Sequence, residues 1–302
     1  MKNAQVVHNP TAGDGKHSKN DILEVVENAA EVVDYVSTEE EDWGRALKKQ
    51  AEVIFLAGGD GTVNKLATRL LQNEQLDPAI PVYLLPYGTA NNIGLTLDIP
   101  KKIKQPKPDF EKNIRKYDIG RVKGLEDMDF FLEGVGFGLF PELVKRVKEQ
   151  GEKNETASEE LQRIRKNLLE VAKEFKAQKA KIKLDGMKIK GKFLLVELIN
   201  IRYIGPNFEL APNANPGDGF LDLVLIPEER REDLVAHLQE VLDGKKQQLP
   251  LKDFVQNLRV QKVEMQWKGE GVHVDDDLVE NYSGESFEVS LDHGKFHFVK
   301  LD

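Results

Sequence analysis

At 302 residues the chain exceeds the usual size of a single hydrophobic core, so two domains are expected. Its 43 basic and 52 acidic residues leave a net charge of −9, which excludes a general nucleic-acid binder and leaves room for a local basic patch. The absence of cysteine removes disulfides, zinc thiolate sites and thiol nucleophiles together, and fits a cytoplasmic setting.

The amino terminus, MKNAQVVHNP, lacks the long apolar stretch of a secretory signal. Behind it Gln5–His8 reads as a short buried strand, Ile22–Ala30 as an apolar-periodic helix and Val32–Val36 as a second strand. Acidic residues in the first turn predict a helix over Glu39–Gln50. Val53–Ala57 is a compact apolar strand that runs straight into Gly58-Gly59-Asp60-Gly61-Thr62, with a helix pattern through Leu71 and another strand at Val82–Leu85. This alternation implies a mostly parallel, helix-covered sheet, an α/β domain over residues 1–120.

After Pro100 a Lys- and Pro-rich connector, Lys101–Pro108, leads to a β-rich second domain over 121–302, whose last strand is a candidate to return to the first domain. Its strand candidates are Tyr117–Val122, Phe130–Val135, Lys181–Leu184, Phe193–Ile201, Phe220–Ile226, Val255–Trp267, Val272–Val274, Phe287–Leu291 and Phe296–Val299. Helical segments around Phe140–Lys148 and Ser158–Lys176 interrupt them. The longest apolar-rich runs are far shorter than a bilayer-spanning helix, so a membrane would be met at its surface.

The sharpest chemical signal is GGDGT at 58–62, between a buried strand and a helix. Glycine lets backbone approach a phosphate closely, and the following helix offers unpaired N–H groups and a positive dipole end. Asp60 can then act through a metal ion or a hydrogen bond near the phosphates, since a strand-to-helix turn demands no carboxylate for folding. The motif is not a Walker A loop, because no Gly-Lys-Ser/Thr follows.

GGDGT is shared by diacylglycerol kinase-like lipid kinases, sphingosine kinases and NAD kinases, and its surroundings discriminate among them. Asn9-Pro10-Thr11-Ala12-Gly13, Pro86-Tyr87-Gly88-Thr89-Ala90-Asn91-Asn92 with Ile99-Pro100, Leu210-Ala211-Pro212-Asn213-Ala214, Asp218-Gly219-Phe220-Leu221-Asp222 and Val274-Asp275-Asp276-Asp277 follow in order. Together they resemble the diacylglycerol kinase catalytic-domain family from Asn9 to about Asp277. The resemblance implies an NAD kinase/diacylglycerol kinase-like fold, in which an α/β nucleotide-binding domain with a mostly parallel sheet precedes a β-rich sandwich domain, with the active site in the cleft between. It implies ATP- and Mg2+-dependent transfer of the γ-phosphate to a lipid hydroxyl such as that of diacylglycerol, peripherally at the inner membrane face. A homodimer is common in such families.

Carried over residue by residue, Gly58, Gly59, Asp60, Gly61 and Thr62 would hold phosphates, with Asp60 near the metal. Asn9, Asn64, Thr89 and Asn91 would shape the nucleotide pocket, Asp275 would be the base for the acceptor hydroxyl, and Asp218 would ligate a second, structural magnesium. Two departures stand out: Asn92 occupies a usual Asp position and Leu95 a frequent Arg position. Asp276 stands where a Gly would ease a left-handed backbone. These departures keep a catalytically weakened nucleotide- or lipid-binding protein open beside the kinase, and GGDGT keeps an NAD kinase relative open.

Three further patterns carry expectations. His273, two residues before Asp275, reads as a solvated surface histidine. The stripe Leu161, Ile164, Leu168, Leu169, Val171, Ala172 and Phe175 reads as core packing. Residues 143–192 hold 15 basic and 8 acidic side chains, a local +7 suited to an anionic membrane surface.

Overall fold

The computed structural model describes residues 2–101, 113–151, 154–184, 186–245, 255–279 and 281–299. The expected connector at Lys101–Pro108 lies largely outside the described residues. Two compact units emerge: Met1–Asp118 with His293–Asp302, and Ile119–Asp292.

The first unit contains β1 (Asn3–His8), α1 (Lys19–Glu27), β2 (Glu31–Ser37), β3 (Val53–Gly58), α2 (Asp60–Gln72), β4 (Pro81–Pro86) and α3 (Asn92–Thr96). The strands lie in the order β4-β3-β1-β2, all parallel. Residues of one parity, Ala4, Val6, Val53, Phe55, Ala57, Tyr83 and Leu85, pack with Ile22 and Val26 of α1. Their neighbours Ile54, Leu56, Val82 and Leu84 point to the opposite face and are equally buried. Burial on both faces is why β3 reads as an uninterrupted apolar run.

The helix expected over Glu39–Gln50 does not form. Only the 3-10 turn Trp43–Ala46 forms, and Leu47 is already extended. The cause is tertiary: the buried Gln5 side chain donates to Ala46 O at 2.8 Å and accepts from Lys48 N at 2.9 Å. Those are backbone groups that a helix would have paired internally.

The strand β5 (Ile114–Lys123) opens the passage to the second unit. There follow β6 (Phe130–Phe131), β7 (Gly134–Gly138), α4 (Leu139–Gln150), α5 (Ala157–Glu174), β8 (Gln178–Leu184), β9 (Met187–Ile199), β10 (Tyr203–Ile204), β11 (Phe208–Glu209), β12 (Leu221–Pro227), α6 (Arg231–Leu242), β13 (Gln256–Val260), β14 (Lys262–Trp267), β15 (Val272–Val274), β16 (Asp277–Val279) and β17 (Ser286–Val299). The main path, β16-β15-β7-β9-β8-β14-β17, is antiparallel, and β12 pairs with β9 and β13. Its core gathers Phe137, Trp267, Met265 and Phe287, with Phe137 and Trp267 stacked at 5.2 Å.

Several expected strands divide or fuse. Phe130–Val135 becomes β6 and β7, and Val255–Trp267 breaks at Gln261 into β13 and β14. Phe287–Leu291 and Phe296–Val299 join as β17, whose Ser286–Ser290 stretch pairs with β14 and whose His297 and Phe298 pair with β4. Asp292, His293 and Gly294 between those two stretches stay in the strand, with Gly294 left-handed at φ 60°.

Candidate active site

In the first unit, β1, β3 and β4 each deliver a glycine-bearing loop from its carboxyl end, the edge of a parallel sheet where α/β proteins bind ligands. The loops brace one another. Asn9 Nδ2 donates to Thr62 Oγ1 at 3.1 Å, and Asn9 Oδ1 accepts from Thr11 N and Thr11 Oγ1. Tyr87 N donates to Gly58 O at 2.9 Å. Asn91, in the left-handed conformation at φ 53°, accepts from Gly88 N at 2.9 Å and returns a donor to Gly88 O. Asn64 and Thr89 lie half-buried on α2 and on the loop after β4.

The loop's glycines divide into two kinds. A Cβ on Gly58 would collide with the Thr62 side chain, and one on Gly59 would lie 2.8 Å from Gly88 Cα. Both are demanded by packing. Gly61, one residue into α2, faces no protein atom within 4 Å. Its neighbour Gly59 caps the helix without any side-chain bond, so this amino-terminal end of α2 is open to an anion.

Asp60 is where the sequence reading needs amendment. The residue is 9% exposed, and its carboxylate accepts from Asn92 N at 2.7 Å and Ile93 N at 3.0 Å. It therefore caps α3 and ties the GGDGT loop to the loop after β4, a structural task that does demand a carboxylate. Asn92 itself is buried at 3%, beside this anion. With Leu95 in place of a cation, a neutral amide suits that position better than a second carboxylate would.

A chain of rings anchors the first loop. His17 Nε2 donates to Ala12 O at 2.9 Å, because a carbonyl can only accept. In the neutral chain His17 Nδ1 then accepts from His8 Nε2–H at 2.9 Å, and His8 Nδ1 accepts from the Tyr35 hydroxyl at 2.7 Å. Every polar atom is satisfied only while both rings are neutral. Burial, reinforced by repulsion from His17, lowers His8 to about 4. The sequence contained no signal for this chain, since its partners lie on separate elements.

In the second unit, Asp275 and Asp276 form the two-residue link of the β15–β16 hairpin, with Val274 paired to Asp277. The left-handed residue is Asp275 (φ 49°), not Asp276. The Asp275 carboxylate accepts from Leu132 N at 3.0 Å, Glu133 N at 2.8 Å and Gly134 N at 3.0 Å. Its oxygens thus face backbone, which argues against the expected role as base and for that of a lock. The strand alternation expected of these acids does not arise, because the chain reverses here. Asp276 lies exposed on the turn. Crowding by the surrounding protein nevertheless raises its carboxyl, with His273 and Lys148 opposing and Asp277 reinforcing.

His273 is buried, not solvated. Its Nδ1 donates to Asp275 O at 2.8 Å, and its Nε2 pairs with Glu197 at 2.9 Å. Burial raises Glu197, and Glu197 in turn holds His273 up against its own desolvation. Gly134 and Gly136 leave the room that Glu197 fills, since a Cβ at either would meet its carboxylate. The i, i+2 spacing to Asp275 drew attention to His273 alone, and nothing in the sequence pointed to Glu197.

Asp218 does not suit the expected structural metal. One oxygen accepts from Phe220 N at 3.1 Å, and the other bonds Arg259 at 2.6 Å, a cation where a metal would sit. Among the described residues no group of three or more His, Asp or Glu side chains has a metal-binding arrangement.

Comparison with known proteins agrees with this architecture. The diacylglycerol kinase catalytic domain model matches residues 3–122, and the YegS C-terminal NAD kinase beta sandwich-like domain matches 144–280. A diacylglycerol kinase of Bacillus subtilis is 28% identical over 235 residues, covering 75% of this chain and 74% of that protein. A crystal structure of a diacylglycerol kinase from Bacillus anthracis superposes with a TM-score of 0.68 at 18% identity, over 99% of this chain and 96% of that one. An NAD kinase from Archaeoglobus fulgidus in complex with ATP follows the fold more distantly, at TM-score 0.50 and 14% identity over 99% and 94%. Residues 3–122 are a diacylglycerol kinase catalytic domain and residues 144–280 a YegS C-terminal domain, and the chain is a phosphotransferase of the lipid kinase type.

Proposed function

We propose that this protein transfers the γ-phosphate of ATP to the hydroxyl of a lipid, diacylglycerol being the leading candidate. The observation that carries the reading is the set of loops ending β1, β3 and β4, with Gly61 and the amino-terminal end of α2 facing open space. That arrangement accommodates the anionic tail of a nucleotide, in which backbone N–H groups replace the water around phosphate. In this reading Gly58–Thr62 cradle the phosphates, and Asn9, Asn64, Thr89 and Asn91 hold the surrounding loops. Asp60 contributes by fixing α3 against the phosphate loop. A divalent cation such as magnesium, bound to ATP, would supply neutralisation of phosphate charge, and no side chain is assigned to it.

The acceptor hydroxyl needs a carboxylate to take its proton. We assign this to Asp276, which is exposed on the turn and whose carboxyl the surrounding protein holds above its ordinary range. Asp275 and the His273–Glu197 pair position the turn beneath it.

The deciding experiment supplies radiolabelled ATP with a total lipid extract, purified diacylglycerol and, separately, NAD. Label in a lipid supports the reading. Label in NAD and in no lipid, or ATP binding with no transfer at all, sinks it.

A further inference from the structure

The β8–β9 hairpin sets lysine against lysine. Lys179 pairs with Lys192, Lys181 with Lys190 and Lys183 with Lys188. Directly opposed residues of an antiparallel pair share a face, and all six are exposed. Ala180, Ile182 and Leu184, of the other parity in β8, are in the core. Lysines held about 5 Å apart across strands repel and destabilise a sheet unless an anion covers them.

Only part of this charge is neutralised within the protein. Lys183 bonds Glu264 at 2.8 Å and Lys192 reaches Glu228 at 3.5 Å. Lys179, Lys181, Lys188 and Lys190 make no ion pair among the described residues. Elsewhere in the 143–192 segment Arg146 pairs with Glu174 at 2.8 Å and Lys173 with Glu170 at 2.9 Å. Six of the fifteen basic residues in this segment thus share one face of one hairpin.

We propose that this lysine ladder docks the protein on an anionic lipid bilayer. The inference names a partner for the lipid kinase reading, on which its purpose rests. The ladder is two strands wide and about 13 Å long, from the four residue steps between Lys179 and Lys183 at about 3.3 Å each, so its partner must offer negative charge in two dimensions. A bilayer of anionic headgroups does so, and lysine stems allow each ammonium to reach the headgroup plane. A long nucleic acid would run past the hairpin onto a chain whose net charge is −9, and would be repelled there.

The test is sedimentation of the full chain with phosphatidylcholine vesicles, with and without phosphatidylglycerol. The variants are a hairpin quadruple, Lys179→Gln, Lys181→Gln, Lys188→Gln and Lys190→Gln, and a control quadruple, Arg146→Gln, Lys166→Gln, Lys173→Gln and Lys176→Gln. Wild type should bind only the anionic vesicles, and binding should weaken as salt rises. The hairpin quadruple should lose roughly a hundredfold or more of its partitioning, and the control only a few-fold. Equal losses in both variants, unchanged binding by the hairpin quadruple, or a wild type that prefers RNA to anionic vesicles overturns the proposal. Phosphorylation of short-chain diacylglycerol in detergent keeps the two readings apart. There the hairpin quadruple should match wild type, and vesicle binding without any lipid phosphorylation sinks the kinase reading and leaves the docking face standing.

Discussion

Asp60 and Gly61 are adjacent and serve opposite masters. Removing the Asp60 carboxylate leaves the Asn92 and Ile93 N–H groups without their acceptor, so Asp60→Ala should cost about 2–4 kcal/mol of stability as well as activity. An Asp60→Ala protein that melts with wild type would contradict this. Gly61→Ala should do the reverse. Its added methyl meets no protein atom, and alanine is the better helix former by about 0.5–1 kcal/mol, so melting should hold or rise. ATP affinity should fall about tenfold or more where the methyl invades the phosphate space. If ATP binds Gly61→Ala as it binds wild type, the phosphates lie elsewhere. The aspartates of the hairpin separate in the same way. Asp276→Asn should lower turnover about a hundredfold with ATP binding kept, as loss of a general base does. Asp275→Asn should instead lower the melting temperature, because an amide keeps one accepting oxygen and cannot serve backbone donors on both sides. The opposite pattern would return the role of base to Asp275.

At the scale of elements, α5 shows how local sequence and tertiary packing share the work. Thr156 and Glu159 form a capping box that was readable from their spacing, and the buried Leu168, Leu169, Val171 and Ala172 are the core half of the apolar stripe. The other end of α5 is closed from far along the chain. Arg231, at the start of α6, donates to Ala172 O and to Phe175 O, both at 2.6 Å, filling carbonyls that a helix terminus leaves open. Arg231→Ala should therefore cost about 1–3 kcal/mol, with faster hydrogen exchange confined to the last turns of α5 and to α6. Uniformly faster exchange across the second unit would mean that Arg231 serves something other than this cap. The failure of the Glu39–Gln50 helix has the same origin, because Gln5 captured its backbone from another strand. Polar side chains reaching across elements overrule propensity wherever they satisfy buried backbone.

For the whole molecule, the ring chain through His8 links acidity to stability. His8 falls from its ordinary 6.5 to about 4 on folding, so the unfolded chain binds the proton more tightly. Its contribution is then complete above pH 6.5 and is lost as pH falls from 6.5 toward 4, by on the order of 3 kcal/mol. His8→Gln, whose amide can still accept from Tyr35 and donate to His17, should be less sensitive to acid over that window. Denaturant melts at pH 7 and pH 4.5 that shift equally in both proteins would refute the link. The order of strands and helices in the first unit was legible in sequence because both of its periodicities are local, and GGDGT was legible because glycine at a strand-to-helix turn is a backbone requirement. The pairing of His273 with Glu197, the commitment of Asp60 and Asp275 to backbone, and the gathering of lysines on one face were not. Each depends on which distant residue arrives opposite, through burial that turns a polar side chain toward a buried donor or a register that aligns six charges. Sequence by itself determined the family resemblance, the two kinds of domain and the glycine loops proposed to meet phosphate. Tertiary structure alone decided which carboxylates remain available for chemistry, because a carboxylate satisfied by backbone N–H groups is spent on the fold.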